Sequence, residues 1–245
     1  MKRTYTGVPT AQLVADKTTQ LVDGGQHGAD SAAKDDHTRI VFDLETTGLA
    51  RAMHEIVEIA CWVVGDLPSG YESKYQERPD VFCSLIMPTK PASKRAVEVN
   101  GIKKTGKNQM MVRGKLRYNA RSAHEVFSEL ITWLRGFKNP VLIAHNGFRF
   151  DAPWLVESLK NENLYTEFEK TVAFFGDTLP ELKDVVASKP LSLAVLGKQF
   201  IPEWAAFQVH AHSALFDVWA TIKVRVFSRI LPEFFKKRKA PNIKL

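Results

Sequence analysis

Three apolar segments follow one another between Arg39 and Pro88: "RIVFDLE", "EIVEIACWVVGD" and "VFCSLIMP". Each is rich in β-branched or aromatic residues and is closed by Gly or Pro, so three strands in succession are predicted, paired as an antiparallel meander. Helical spacing then takes over. Ser122 and Glu125 form a capping box, and Val126, Phe127, Leu130, Ile131 and Leu134 follow on one helical face. "PVLIAHN" reads as a buried strand, followed by a helix from about Pro153 to Lys160, a short strand "VAFFGDT", and helical segments around 179–187 and 192–199. A long helix is predicted over 213–230, with Leu215, Val218, Trp219, Ile222 and Val226 as its apolar stripe. Strands first and helices interleaved later predict an α/β fold: a mixed sheet with helices packed on it.

Length and composition set the domain plan. A chain of 245 residues with 44% hydrophobic content supports one large domain. Residues 1–37 lack aromatic side chains after Tyr5 and are expected to be a flexible leader; residues 38–231 form the domain, and 232–245 a basic tail. No apolar run is long enough to span a bilayer, and nothing after Lys2 and Arg3 resembles a secretory h-region, so no membrane role is expected. Cys61 and Cys83, both in strand-like segments, are read as free thiols of an intracellular protein, nuclear or cytoplasmic.

The net charge of +7 is unevenly spread. Residues 103–121 hold seven bases and no acid, and "KKRK" at 236–239 holds four more; the remaining 23 bases face 27 acids, a balance of −4. Two confined basic patches suit a polyanion such as nucleic acid, against the plainer reading of a solvated loop and a solubilising tail. "KKRK" also fits a nuclear-import signal.

Four acids stand where burial is expected: Asp43 and Glu45 on the first strand, Asp151 at a helix start, and Asp217 beside the apolar stripe of the last helix. Singly, Glu45 reads as a strand-end surface acid, Asp151 as a cap and Asp217 as a polar helix edge. Together they require protons, cationic side chains or metal ions, because unpaired buried carboxylates are costly. A sulfur-free oxygen site suits Mg²⁺ or Mn²⁺. Two strand residues one apart share a face, so Asp43 and Glu45 can hold one ion jointly, while Gly48 is expected to turn the backbone away where a ligand approaches.

"DLETTGL", "AHNGFRFDAPWL" and "HSALFD" resemble, in order and composition, the three motifs of the DEDDh 3′→5′ exonucleases, a group that includes the proofreading subunit of bacterial DNA polymerase III and the TREX-type DNA exonucleases. Arg149 and Phe150 before Asp151 make the middle motif most similar to the TREX type. The resemblance implies an RNase H-like mixed five-stranded sheet flanked by helices, two Mg²⁺ ions replaceable by Mn²⁺, and release of nucleoside 5′-monophosphates from DNA 3′ ends that are single-stranded or frayed. It implies that Asp43, Glu45, Asp151 and Asp217 are the metal ligands and His212 the general base. It further implies that Thr46, Thr47, Leu49, Ile102, Asn146, Arg149 and Phe150 contact the substrate, with nucleic acid as partner and a homodimer as an allowed assembly. His212 and Asp217, five apart, fall roughly 140° apart on a helix, so His212 is expected in the loop before it. His145 and His210 read as structural or surface residues. An exoribonuclease of the same superfamily, and a binding module without catalysis, are the rival readings. Only two prolines lie in the segment from Pro88 to Gln109, where TREX-type dimers carry a proline-rich surface.

Overall fold

A computed structural model describes residues 36–65, 70–107, 109–117, 120–186 and 190–227, with single positions at 239 and 243. Residues 1–35 of the expected leader and nearly all of the basic tail lie outside the described residues, as does the end of the last predicted helix beyond 227.

The central sheet has five strands in the order β3-β2-β1-β7-β8. β1 (Arg39–Thr46), β2 (Ile56–Val63) and β3 (Val81–Leu85) form the predicted meander. β7 (Val141–Ala144) and β8 (Phe174–Asp177) add in parallel on the other side of β1. This is the mixed, RNase H-like α/β sheet that the sequence suggests.

Alternation along β1 sends its side chains into two cores. Ile40, Phe42 and Leu44 face α2 (Ala123–Leu134), α3 (Asp151–Asn161) and α4 (Tyr165–Thr171). Val41 and the residues in step with it face α6 (Leu193–Phe200) and α8 (Ala214–Phe227). Asp43 and Glu45 therefore point toward α8. The capping box of α2 is formed, and all five residues of its predicted stripe are buried. On α8, Leu215, Val218, Trp219 and Ile222 are buried, each contributing about 1.5–3 kcal/mol by leaving water; the side chain of Val226 lies outside the described residues.

The same alternation settles the cysteines. Cys83 pairs with Ala60, so it lies on the opposite face of the sheet from Cys61, and both thiols are free.

Three elements depart from the expectation. The basic segment is not a solvated loop: β4 (Ile102–Gly106), β5 (Gln109–Val112) and β6 (Lys115–Arg117) make a small antiparallel sheet. It folds because Ile102 and Met110 bury against Val57 at the edge of the main body. The other two departures are α1 (Lys94–Asn100), capped by the Ser93 side chain and ended by Gly101 in the left-handed region, and α4, both too short for their periodicity to stand out. α5 (Thr178–Val185) and a short α7 (Trp204–Phe207) are the remaining α-helices among the described residues, none of whose helices is long and apolar enough to cross a membrane.

Candidate active site

The acids gather at the end of β1. Glu45 stands directly opposite Glu58 of β2, and α8 crosses the same face of the sheet. Asp151, the first residue of α3, reaches back from the other side, its Oδ1 accepting the Leu44 amide at 3.2 Å. The turn feeding α3 is tight: Asn146 adopts φ 62°, its carbonyl accepts the amides of Arg149 and Phe150, and a Cβ on Gly147 would come within 2.8 Å of that of Ala144.

From α8, Asp217 faces Glu45, while His212 precedes the helix at φ 63° and donates its amide to Asp217 Oδ2 at 3.2 Å. The histidine is on the loop, as the five-residue spacing requires. One donor atom each from Glu45, His212 and Asp217 lies within 4.8 Å of the others, close enough for one ion.

The electrostatics are those of a buried, mutually repelling group of carboxyls. Burial, followed by the charges of Asp151, Asp217, Glu45 and Glu58, pushes the Asp43 carboxyl well above the ordinary aspartate range. Glu45 is raised by burial, then by Asp217 and Glu58, against a hydrogen bond from Asn100. Burial lifts Asp151 to about 8 and Asp217 to about 7. His212 is lowered, by burial first and then by the Arg113 guanidinium, which favours the neutral ring. A divalent cation fits this donor set: it consists of carboxylate oxygens and one imidazole, self-repelling when ionised, at a partly open rim.

The residues proposed for substrate contact divide into groups. Leu49 is 82% exposed on the loop after β1, Arg149 is exposed, and Asn146 and Phe150 are half-buried, the latter packed on Trp154. Thr46 and Thr47 are buried and internally bonded: Thr46 Oγ1 donates to the Gly48 carbonyl, and Thr47 Oγ1 accepts the Glu55 amide. Ile102 is a correction. At 2% exposure its side chain fills the small core with Val57 and Met110 and is not presented as an apolar contact surface. Gly48 is another: its φ is not in the left-handed region, and a Cβ there would meet the His54 ring at 2.4 Å, so the residue is small to admit His54.

His145 is structural. Its Nε2 donates to the Leu191 carbonyl at 2.8 Å, which leaves Nδ1 to accept the Thr178 hydroxyl at 2.9 Å. His210 packs its ring against Tyr71 and Phe216.

Three residues of the site region were not singled out from the sequence. Glu58 is buried, raised chiefly by that burial, and accepts the Ala214 amide at the start of α8 at 3.0 Å. Its alternation with Ala60 and Trp62 was a usable signal, but only the β1–β2 register reveals that it meets Glu45. Asn100 donates to the Thr46 carbonyl at 3.1 Å and accepts the Ile102 amide at 2.9 Å, tying the end of β1 to the small sheet. Arg113, counted from the sequence among the bases suited to nucleic acid, instead donates to the carbonyls of Val209, His210 and Ala211.

A mixed sheet with inward acids from β1, α3 and α8 and a histidine on the adjoining loop defines a class, the nucleases built on an RNase H-like sheet. An exonuclease family model, RNase_T, matches residues 40–225, and the chain belongs to that family. Similar proteins include the PolC-type DNA polymerase III of Thermotoga petrophila, 29% identical over 205 residues that make up 82% of this chain and 12% of the polymerase. The three prime repair exonuclease 2 of Mus musculus is 30% identical over 158 residues, 60% of this chain and 61% of that protein. The chain thus spans less than two thirds of either relative. In fold it is similar to E. coli exonuclease I, solved with a dT13 oligonucleotide: TM-score 0.57, 16% identity, 79% of this chain and 42% of that one.

Proposed function

We propose that the chain is a Mg²⁺-dependent 3′→5′ exonuclease that removes nucleoside 5′-monophosphates from DNA, acting on single-stranded or frayed ends. The observation that carries this reading is the convergence of Glu45, His212 and Asp217 within 4.8 Å, beside the mutually repelling Asp43 and Asp151. The mouse relative's name and the exonuclease I–oligonucleotide complexes are consistent with it.

Asp43, Glu45, Asp151 and Asp217 would hold the metal, whose bound ions would neutralise the cluster and stabilise charge on the phosphodiester. The protein's own part is then positional. The neutral His212 ring accepts the proton of the attacking water, and its loop location lets it approach from the solvent side. Leu49 offers an apolar edge to the terminal base, and Phe150 an aromatic one; stacking of this kind is tolerant of sequence and worth about 1–3 kcal/mol per base. Arg149, exposed two residues before Asp151, supplies a cation suited to the scissile phosphate. The side chains of Lys103, Lys107, Lys115 and Arg117 are exposed on or beside the small sheet and make no hydrogen bond or ion pair among the described residues, and they fit phosphates of the strand further from the cut. Free thiols on opposite sheet faces support an intracellular setting, nuclear or cytoplasmic.

The test is digestion of 5′-labelled DNA and RNA of matched sequence with Mg²⁺ and with EDTA. A ladder shortening from the 3′ end of the DNA, absent in EDTA and blocked by a 3′-phosphate, is expected. Early internal cuts would make the protein an endonuclease, and faster loss of the RNA would make it an exoribonuclease.

A further inference from the structure

The β5–β6 hairpin turns on Arg113 and Gly114, at φ 49° and 75°. Two-residue turns with both central residues in the left-handed region prefer Asn or Asp before Gly, because a longer side chain there is strained. This turn carries Arg instead. Its guanidinium extends to a segment about a hundred residues away, Nη1 donating to the Val209 carbonyl at 2.6 Å and Nη2 to those of His210, at 3.0 Å, and Ala211. These carbonyls lie where the short helical turn Gln208–His210 ends, and that of His210 also accepts the Ser213 amide. They form a concentration of partial negative charge that a forked cation matches and a single ammonium does not.

The next residue is His212. We infer that Arg113 is a positioning residue: it clasps the carbonyls of 209–211 from the small sheet and thereby fixes where His212 stands over Asp217. This rests on the reading of His212 as general base. The loop has few other restraints. Val209 is 70% exposed, the His210 ring packs on Tyr71 at 5.0 Å and on Phe216, two short turn hydrogen bonds run from Ala211 to Gln208 and from Ser213 to His210, and the His212 amide donates to Asp217 Oδ2. The Asp217 bond holds the loop from the α8 side, at His212 itself; the arginine, anchored through its own amide to the Gly101 carbonyl at 2.9 Å, holds the three preceding carbonyls from the side of the small sheet. The small sheet thus acquires a second task besides carrying charge, since it supports the histidine loop from outside.

The experiment compares Arg113→Ala, Arg113→Lys, His212→Ala and the Arg113→Ala/His212→Ala double variant with the intact chain, using thymidine 5′-(4-nitrophenyl phosphate), which is too short to reach the exposed bases of the small sheet. Arg113→Ala should lower kcat about 10- to 100-fold, since small misplacement of a catalytic group costs this order, with KM within about twofold. Arg113→Lys should recover little, millimolar methylguanidinium should recover part of the Arg113→Ala rate, and the double variant should be no slower than His212→Ala. Additive losses, a raised KM at unchanged kcat, or full activity in Arg113→Ala beside a slow His212→Ala would each overturn the assignment. Hydrogen exchange needs no turnover: the 209–213 amides should exchange faster in Arg113→Ala while β1 and α8 are unchanged, and unchanged exchange at 209–213 would refute the clasp even if the chain hydrolysed neither ester nor DNA. An intact chain inactive on both would instead remove the functional reading.

Discussion

Replacing Asp217 by Asn should make the metal-free protein more stable at pH 8, although it removes a residue of the site. Burial raises the Asp217 carboxyl from the ordinary 3.8 to about 7, with the amide of His212 and then Arg113 opposing and Glu58 assisting. A group raised on folding contributes its stability below its unfolded pKa and loses it as pH climbs through the folded one. The loss therefore develops between about pH 4 and pH 8. At about 1.4 kcal/mol per decade, the span from 3.8 to about 7 is worth roughly 4 kcal/mol. Relaxation of the site and its effective dielectric reduce this to about 1–3 kcal/mol. Asn keeps the oxygen that accepts the His212 amide, so little is given up. For a domain of this size the gain corresponds to roughly 3–10 °C in Tm. Thermal melts of both proteins in EDTA at pH 5 and pH 8 are the assay: the advantage of Asp217→Asn should be clear at pH 8 and shrink to under half at pH 5. Excess Mg²⁺ or Mn²⁺ should reverse the order by stabilising only the intact site. A variant that melts below the parent in EDTA at pH 8, or an advantage that does not change with pH, would refute the reasoning.

The Asp43→Ala variant should lose hydrolysis of a 3′-end-labelled strand by at least about 10³-fold while its circular dichroism and melting in EDTA match or exceed the parent; turnover near the parent's would remove Asp43 from the metal site. His212→Ala should bind Mn²⁺ by calorimetry with near-normal affinity and turn over about 10²–10⁴-fold more slowly, with part of the rate returning as pH rises and hydroxide replaces the missing base. Because His212 lies within ligand distance of Glu45 and Asp217, a fall in Mn²⁺ affinity would instead make it a ligand. Changing Lys103, Lys107, Lys115 and Arg117 to Gln should weaken DNA binding and flatten its log–log salt dependence by about 0.7 for each single-strand phosphate that is no longer neutralised; an unaltered slope, measured by fluorescence anisotropy, would show that the sheet does not touch the strand.

Much of this could be read along one dimension because the relevant physics is local. A period of two placed Asp43 and Glu45 on one face, a period of about 3.6 placed the stripe of α8 beside Asp217, and five residues of separation kept His212 off that helix. The capping box announced α2 for the same reason, its partners being three residues apart. The features missed depend on contacts that no short window contains. Glu58 joins the acids only through the register that sets it opposite Glu45. Ile102 became core, not contact surface, because the basic segment folded into a sheet around Met110 and Val57. Gly48 is small for the sake of His54, six residues on across a loop whose path the sequence does not dictate. Arg113 looked like one base among seven until the chain brought Val209, His210 and Ala211 to it from about a hundred residues away. Side-chain direction follows from the geometry of a single element, whereas a partner's identity follows from how distant elements pack, and that packing is settled by the burial of the whole core at once.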